Sequence, residues 1–348
     1  MTVAEISSMT NLPNTPSSTE NVRRSASIVA TGAYLPSRVL TNGDLEKMVE
    51  TSNEWILSRT GIRERRIAAD GEFTSDMGAH AALQALELGG IDPKTIDLII
   101  VATCTADTVF PSTACYIQDK IDATRAAAFD LQAACSGFLY ALVTADQFIC
   151  AGIYKTILVI GAEKLSSIVN WQDRNTCVLF GDGAGAVILQ HRPGSRGLLA
   201  FDMGADGAQA GILSIPAGGC RIPITPEVLD QRLQCLQMGG KEVFKQAVTA
   251  MNRSAEECLE KAGVKPEQVR WFIPHQANYR IVDAVAQRMG VGMEHFIMNL
   301  DRYGNTSAAC MPIALHETNM AGKLDRGDLV LMVSFGGGLT WASTVLEW

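Results

Sequence analysis

The sequence predicts an α/β fold: a five-layered αβαβα sandwich built from two similar halves. Three observations predict it. First, residues 90–100 recur as residues 263–273, with Gly, a β-branched residue, Pro, a second β-branched residue and an apolar run at matching places. The offset is 173 residues, half the chain, and far too long for a solenoid repeat. Second, the preceding stretches, 81–89 and 254–262, also match at that offset, both with apolar residues at helical spacing. Third, residues 97–102, 156–161, 269–273 and 329–333 form short, nearly continuous apolar runs, and 157–161 falls on 330–334 at the same offset. Such runs read as strands buried on both faces, so largely parallel sheets covered by helices are expected. Two halves of this kind, 27–195 and 196–348, pack into layers.

Taken in order, the elements support this reading. In the first half, the helix at 81–89 leads to the strand at 97–102. A second strand, 126–131, runs into the small-residue corner Ala133-Ala134-Cys135-Ser136-Gly137 and then a helix. After the strand at 156–161 come two strand-like runs, 176–180 and 187–190. The segment Gly181-Asp182-Gly183-Ala184-Gly185-Ala186 between them reads as a tight turn, because a phosphate-cradling loop would open a helix. In the second half, the strand at 269–273 is followed by Pro274-His275-Gln276-Ala277-Asn278. The apolar run 296–300 precedes Tyr303-Gly304-Asn305-Thr306-Ser307, and the strand at 329–333 precedes Ser334-Phe335-Gly336-Gly337-Gly338.

Composition narrows the function classes. The chain has 348 residues, 47% hydrophobic and 19% charged, which suits one large or two ordinary globular domains. Its net charge is −8 and it has no long basic block, so nucleic acid is not an expected partner. No apolar run reaches the length of a membrane span. Residues 1–26, rich in Ser, Thr, Asn and Pro and without periodicity, read as a disordered tail. Glu5 and Glu20 weigh against a transit peptide. The nine cysteines are odd in number and show no C-x-x-C spacing, so free thiols in a reducing cytoplasm are expected. The five histidines pair with no cysteine at finger-like spacing, so no metal site is expected.

Ligands bind at strand C-terminal ends in such sheets. Four of the segments above would bring Cys135, His275, Asn305 and the glycines 336–338 to one edge. Taken singly, they have plain structural readings: a packed thiol at Cys135, a turn histidine or helix cap at 275–278, a flexible corner at 336–338. Together they form a chemical set. A thiol at a helix N-terminus, where partial positive charge favours thiolate, can take an acyl group from a thioester. Glycine N–H groups can hold the oxyanion. His275 and Asn305 can donate to a second carbonyl and stabilise an enolate.

With these residues in place the sequence resembles β-ketoacyl-acyl-carrier-protein synthase III, a condensing enzyme of the thiolase fold that starts fatty-acid synthesis. The similarity runs from about Ser27 to Trp348. Its motifs include Thr51-Ser52-Asn53-Glu54-Trp55-Ile56, Arg59-Thr60-Gly61-Ile62-Arg63-Glu64-Arg65, the Cys135 corner, and the four segments at 180–185, 274–278, 304–307 and 335–338. The resemblance implies that Cys135 carries the primer acyl group from an acyl-CoA, with its own N–H and that of Gly337 as oxyanion hole. His275 and Asn305 would hold the thioester carbonyl of malonyl-acyl carrier protein while CO2 leaves. Trp55 and Arg174 would flank the adenine of coenzyme A, Arg59 and Thr60 would lie near its nucleotide end, and Phe244, Ala277 and Asn278 along the pantetheine arm. Coenzyme A thioester enters as substrate and no cofactor is implied. Lys245, Arg280 and Arg288 would meet the acidic carrier protein. A homodimer is implied, with Phe110 closing the partner's acyl pocket and favouring a short primer such as acetyl. Lys241 and Asn175 depart from the family's pattern, where Asn and Gly are expected, and bear on coenzyme A contact.

Rivals of the same fold fit less well. A degradative thiolase would carry a second Cys beside the C-terminal glycines, where Ser334 and Phe335 stand. Elongating synthases use a second His where Asn305 stands, and plant-type polyketide synthases carry a Pro among the glycines. A specialised condensing enzyme with another primer, a non-decarboxylating acyltransferase and a non-catalytic coenzyme A-binding protein remain the alternatives.

Overall fold

The computed structural model describes residues 25–348. Residues 1–24 of the expected tail lie outside the described residues, and Ala26 already begins the first strand. In chain order the first half contains β1 (Ala26–Tyr34), β2 (Arg38–Thr41), α1 (Asn42–Leu45), α2 (Asn53–Thr60), β3 (Glu64–Ile67) and α3 (Thr74–Gly89). It continues with β4 (Leu98–Ala102), α4 (Thr113–Lys120), β5 (Ala127–Leu131), α5 (Gly137–Cys150), β6 (Thr156–Glu163) and β7 (Gly183–His191). The second contains β8 (Leu198–Ala205), β9 (Leu213–Ser214), α6 (Pro226–Asp230), β10 (Gln237–Met238), α7 (Gly240–Ala262) and β11 (Trp271–Pro274). It ends with α8 (Tyr279–Met289), α9 (Leu300–Tyr303), α10 (Cys310–Met320), β12 (Leu329–Gly336) and β13 (Thr340–Glu347).

Two sheets carry the fold. The first has the order β1-β7-β6-β4-β5 and the second, read in the same sense, β8-β13-β12-β11. Alternate residues of β4 serve two cores: Leu98, Ile100 and Ala102 join α5 and α10, whereas Ile99 and Val101 join α3 and α4. On the far side, α7 and α8 bury Met251, Leu259, Val282 and Val285 against Leu331 and Val333 of β12. The five layers expected from the sequence are present, with α5 and α10 in the middle. No helix among the described residues is long and apolar enough to cross a membrane.

Three expectations are corrected. The sheets are mixed, not largely parallel: β4 pairs parallel with β5 and β6, and β11 with β12, but β7 runs antiparallel to β1 and β6, and β13 to β12 and β8. Helices cover both faces of the two main sheets, so an apolar run alone does not reveal strand direction. The apolar run at 296–300 forms only a bridge from Phe296 to Phe272. Beyond it the Gln276 side chain replaces a strand partner, its Oε1 accepting from the N–H groups of Asn299 (2.8 Å) and Leu300 (2.9 Å) and its Nε2 donating to the Ile297 carbonyl (3.0 Å). The glycine segment at 181–186 is not a turn between strands. Residues 176–179 are turn, and Gly183 already begins β7. The glycines permit close approach: a Cβ on Gly181 would collide with the Tyr303 carbonyl, and one on Gly185 would lie 2.7 Å from the Ile313 nitrogen of α10.

The same constraint acts at Gly161 of β6, where a Cβ would collide with the Ala308 carbonyl. The turn Ser307–Ala309 therefore rests directly on β6. Gly161→Ala should lower stability by about 1–3 kcal/mol through overpacking. Chemical denaturation checks this, and an unchanged midpoint would contradict the close approach.

Candidate active site

The parallel strands β4, β5 and β6 of one sheet and β11 and β12 of the other end on a common cavity of about 1140 Å3. Cys135, His275, Asn305 and Gly337 all line it. Cys135 sits in a 3-10 turn, Ala134–Ser136, that feeds α5. Ala134 before it has φ +47°, a sparsely populated conformation for a residue with a Cβ. The end of β12 presses on this corner. A Cβ on Gly336 would stand 2.6 Å from the Cys135 nitrogen and 3.1 Å from that of Ser136. The Thr340 hydroxyl lies 2.9 Å from the Ala133 carbonyl and 3.2 Å from that of Gly337, tying the nucleophile corner to the glycine loop.

His275 follows β11, and its N–H donates to the Val333 carbonyl at 2.8 Å. Its Nδ1 is 3.0 Å from Cys310 Sγ at the start of α10. Asn305 is held from both sides. Its N–H donates to the Leu179 carbonyl (2.8 Å), its carbonyl accepts from Gly181 (3.1 Å), and its Oδ1 accepts from the Ser307 N–H (2.9 Å). The carboxamide Nδ2 has no protein acceptor among the described residues and remains a donor for a ligand. Buried Arg65 backs this loop, its guanidinium donating to the carbonyls of Leu40 (3.1 Å) and Val178 (2.7 Å) and to Asn42 Oδ1 (2.9 Å).

Electrostatics revises one expectation. A helix N-terminus favours thiolate, but burial pushes the Cys135 thiol up to about 12. The same burial pushes His275 down to about 4. At neutral pH the resting site holds a thiol and a neutral imidazole. Cysteine, histidine and asparagine thus face the cavity without charge, which suits an apolar acyl chain.

The outer part of the cavity is lined by Trp55, Arg59, Thr60, Phe244, Ala277 and Asn278, together with Lys241, Asn175 and Arg280. Ser52 caps α2, accepting from the Trp55 N–H at 3.2 Å, and fixes the indole at the mouth. The guanidinium of Arg174 lies 4.6 Å from the Trp55 ring and that of Arg59 5.0 Å. Arg174 also donates to the Glu50 carbonyl at 2.7 Å. It therefore packs on the indole itself, and a base stacked between the two must displace it. The Thr60 hydroxyl is committed to the Ile56 carbonyl at 2.7 Å and offers no free donor. Lys245 and Arg288 line a neighbouring depression that shares Phe244 with the cavity. Phe110 is 83% exposed and does not line this chain's own cavity.

Sequence reasoning missed several contributors. Gln276 and Ser307 stood inside recognised motifs without a role. Gly336, rather than Gly337, is the glycine that Cys135 itself requires. Cys310, Thr340 and Glu163 carried no local signal.

A resting thiol pushed up to about 12 predicts that alkylation of Cys135 by iodoacetamide keeps accelerating above pH 9. Site-resolved alkylation rates check this, and a plateau already reached near pH 7 would contradict it.

Comparison with known proteins agrees with this geometry. The family profile for 3-oxoacyl-[acyl-carrier-protein] synthase III matches residues 129–207, and the profile for its C-terminal region matches residues 259–348. The beta-ketoacyl-[acyl-carrier-protein] synthase III of Desulfitobacterium hafniense is 52% identical over 93% of this chain and 98% of its own. That of Clostridium acetobutylicum is 50% identical, covering 93% and 99%. The crystal structure of the Aquifex aeolicus synthase III superimposes with a TM-score of 0.87 at 50% identity, covering 93% of this chain and 100% of that one. With the nucleophile corner, the His and Asn loops and the glycine loop gathered on one cavity, the chain belongs to the β-ketoacyl-acyl-carrier-protein synthase III family of acyl-transferring condensing enzymes.

Proposed function

We propose that the chain condenses a short acyl-CoA, acetyl-CoA by preference, with malonyl-acyl carrier protein, giving 3-oxoacyl-acyl carrier protein, coenzyme A and CO2, the step that initiates fatty-acid synthesis. The observation that carries this is the single cavity on which Cys135, His275, Asn305 and Gly337 converge. The acyl-CoA enters past Trp55, Arg59 and Phe244, and Arg174 swings from the indole to cover the adenine. Cys135 attacks the thioester carbonyl. The backbone N–H groups of Cys135 and Gly337 stabilise the tetrahedral oxyanion, and coenzyme A departs. Malonyl-carrier protein then docks at the same mouth, its acidic surface drawn to Lys245, Arg280 and Arg288 in a salt-sensitive encounter. His275 and Asn305 donate to its thioester carbonyl. Negative charge accumulates there as CO2 leaves, and the carbanion attacks acyl-Cys135.

The protonation states support these roles. A histidine held neutral by burial keeps an N–H for donation and adds no positive charge beside the malonyl carboxylate. Exposed Phe110 and its neighbour Val109, 97% exposed, suit contact with a second copy of the chain. We place Phe110 across a homodimer interface, where its ring shortens the partner's acyl pocket. One relative supports a second reading: the priming β-ketosynthase of the R1128 polyketide pathway superimposes with a TM-score of 0.87 at 35% identity. That reading keeps the chemistry and changes the primer.

His275→Ala and Asn305→Ala should spare acetyl transfer to Cys135 while lowering condensation with malonyl-carrier protein by about 10²-fold or more. Acetyl-CoA should outperform decanoyl-CoA, and malonyl-CoA in place of the carrier protein should give no product. Quenched-flow assay of each half-reaction checks this. Equal loss of both half-reactions would contradict the roles, and rates rising with chain length would replace the acetyl primer with a longer one.

A further inference from the structure

Cys310 begins α10, and His275 follows β11. Both are buried, at 2% and 3% exposure, and Cys310 Sγ lies 3.0 Å from His275 Nδ1. Among the described residues this is the one hydrogen bond that the His275 side chain makes to protein. Nε2 has no protein partner there, and His275 lines the cavity. Cys310 does not line it; its side chain packs in the core with Ile273, Ala308 and Met311. The pair is set from both sides. The His275 N–H donates to the Val333 carbonyl at 2.8 Å. The turn before Cys310 is held by the close approach of Ala308 to Gly161 and by the Ser307 hydroxyl, which donates to Glu163 at 3.0 Å.

A neutral imidazole carries one ring proton, and the hydrogen bond made by one nitrogen decides which of the two holds it. With the proton on Nδ1, Nε2 is an acceptor and cannot donate to a thioester carbonyl. With the proton on Nε2, Nδ1 is a lone pair in need of a donor. An S–H donating to a basic ring nitrogen uses a good acceptor, whereas a ring N–H donating to sulfur uses a weak one.

We propose that the Cys310 thiol donates to His275 Nδ1 and so fixes the Nε2–H tautomer that holds the malonyl thioester carbonyl. The inference rests on the reading of His275 as that donor. Cys310 acts through His275 and is a positioning residue. It keeps its proton throughout. Burial pushes this thiol up and His275 down to about 4, so a thiolate–imidazolium pair does not form. As CO2 leaves, charge gathers on the carbonyl oxygen against an Nε2–H that is already in place, and no proton moves between Cys310 and the ring.

Nitrogen NMR of the full chain carrying isotope-labelled histidine reads the tautomer directly. His275 is one of five histidines, and the signals missing from His275→Ala assign it. The wild-type signals should show Nδ1 bare and Nε2 protonated, and Cys310→Ala should move them toward a mixture of tautomers. In Cys310→Ala, kcat for CO2 release from malonyl-carrier protein should fall about tenfold with KM within about twofold, while acetylation of Cys135 by acetyl-CoA changes by no more than about threefold. Cys310→Ser keeps a donor and should restore CO2 release to within about threefold of wild type. A wild-type ring protonated at Nδ1, or at both nitrogens, overturns the proposal even if neither Cys310 variant folds. So does undiminished CO2 release in folded Cys310→Ala, a folded Cys310→Ser no faster than Cys310→Ala, or equal loss of both half-reactions. Undiminished CO2 release in His275→Ala instead overturns the reading of His275 beneath it.

Discussion

The contact between the turn Ser307–Ala309 and Gly161 of β6 is the constraint on which the site depends. It sets a loop from the second half of the chain directly on a strand of the first, with no side chain between them. From that contact the other distances follow. Ser307 reaches Glu163 two residues beyond Gly161, Asn305 is fixed by Ser307 and by the Phe180 bridge, and α10 starts beside His275 at Cys310. A second close approach, Gly336 on the Cys135 nitrogen, brings the end of β12 to the nucleophile. Backbone packed on backbone is rigid, and a reaction that needs two thioesters held in sequence at one sulfur calls for such rigidity.

Burial supplies the other half of the design. It holds Cys135 as a thiol, His275 as a neutral imidazole and Glu163 with a raised carboxyl pKa. Each shift has the same first cause, loss of water around the group, and each favours the uncharged form. In a dry site the fixed hydrogen-bond donors act at full strength on charge that appears during reaction. Basic and aromatic groups stand outside this zone at the mouth, where Arg174, Arg59 and Lys241 remain in contact with solvent.

Much of the architecture was legible in the sequence because it is repetitive. The 173-residue offset relates β6 to β12, and the left-handed glycine at 90 to that at 263. The corners carrying Cys135, His275 and Asn305 were legible because each follows an apolar run and breaks it with small or polar residues. Strand direction was not, since burial on both faces gives the same pattern either way. The thiol's ionisation was misjudged because a helix N-terminus is visible locally and desolvation is not. Glu163 looked like the polar end of a strand, since its partner Ser307 lies 144 residues away. Gln276 was hidden for a similar reason: its side chain acts as the missing strand neighbour for residues 297–300.

The central claim is that, of nine cysteines, the fold equips Cys135 to hold an acyl group. Peptide mapping after brief exposure to acetyl-CoA tests it most directly, because Cys104 also lines the cavity and Cys310 lies beside His275. The account predicts an acetyl group on the Cys135 peptide alone, and none in Cys135→Ala. Acetyl on Cys104 or Cys310, or an adduct that survives in Cys135→Ala, would contradict it.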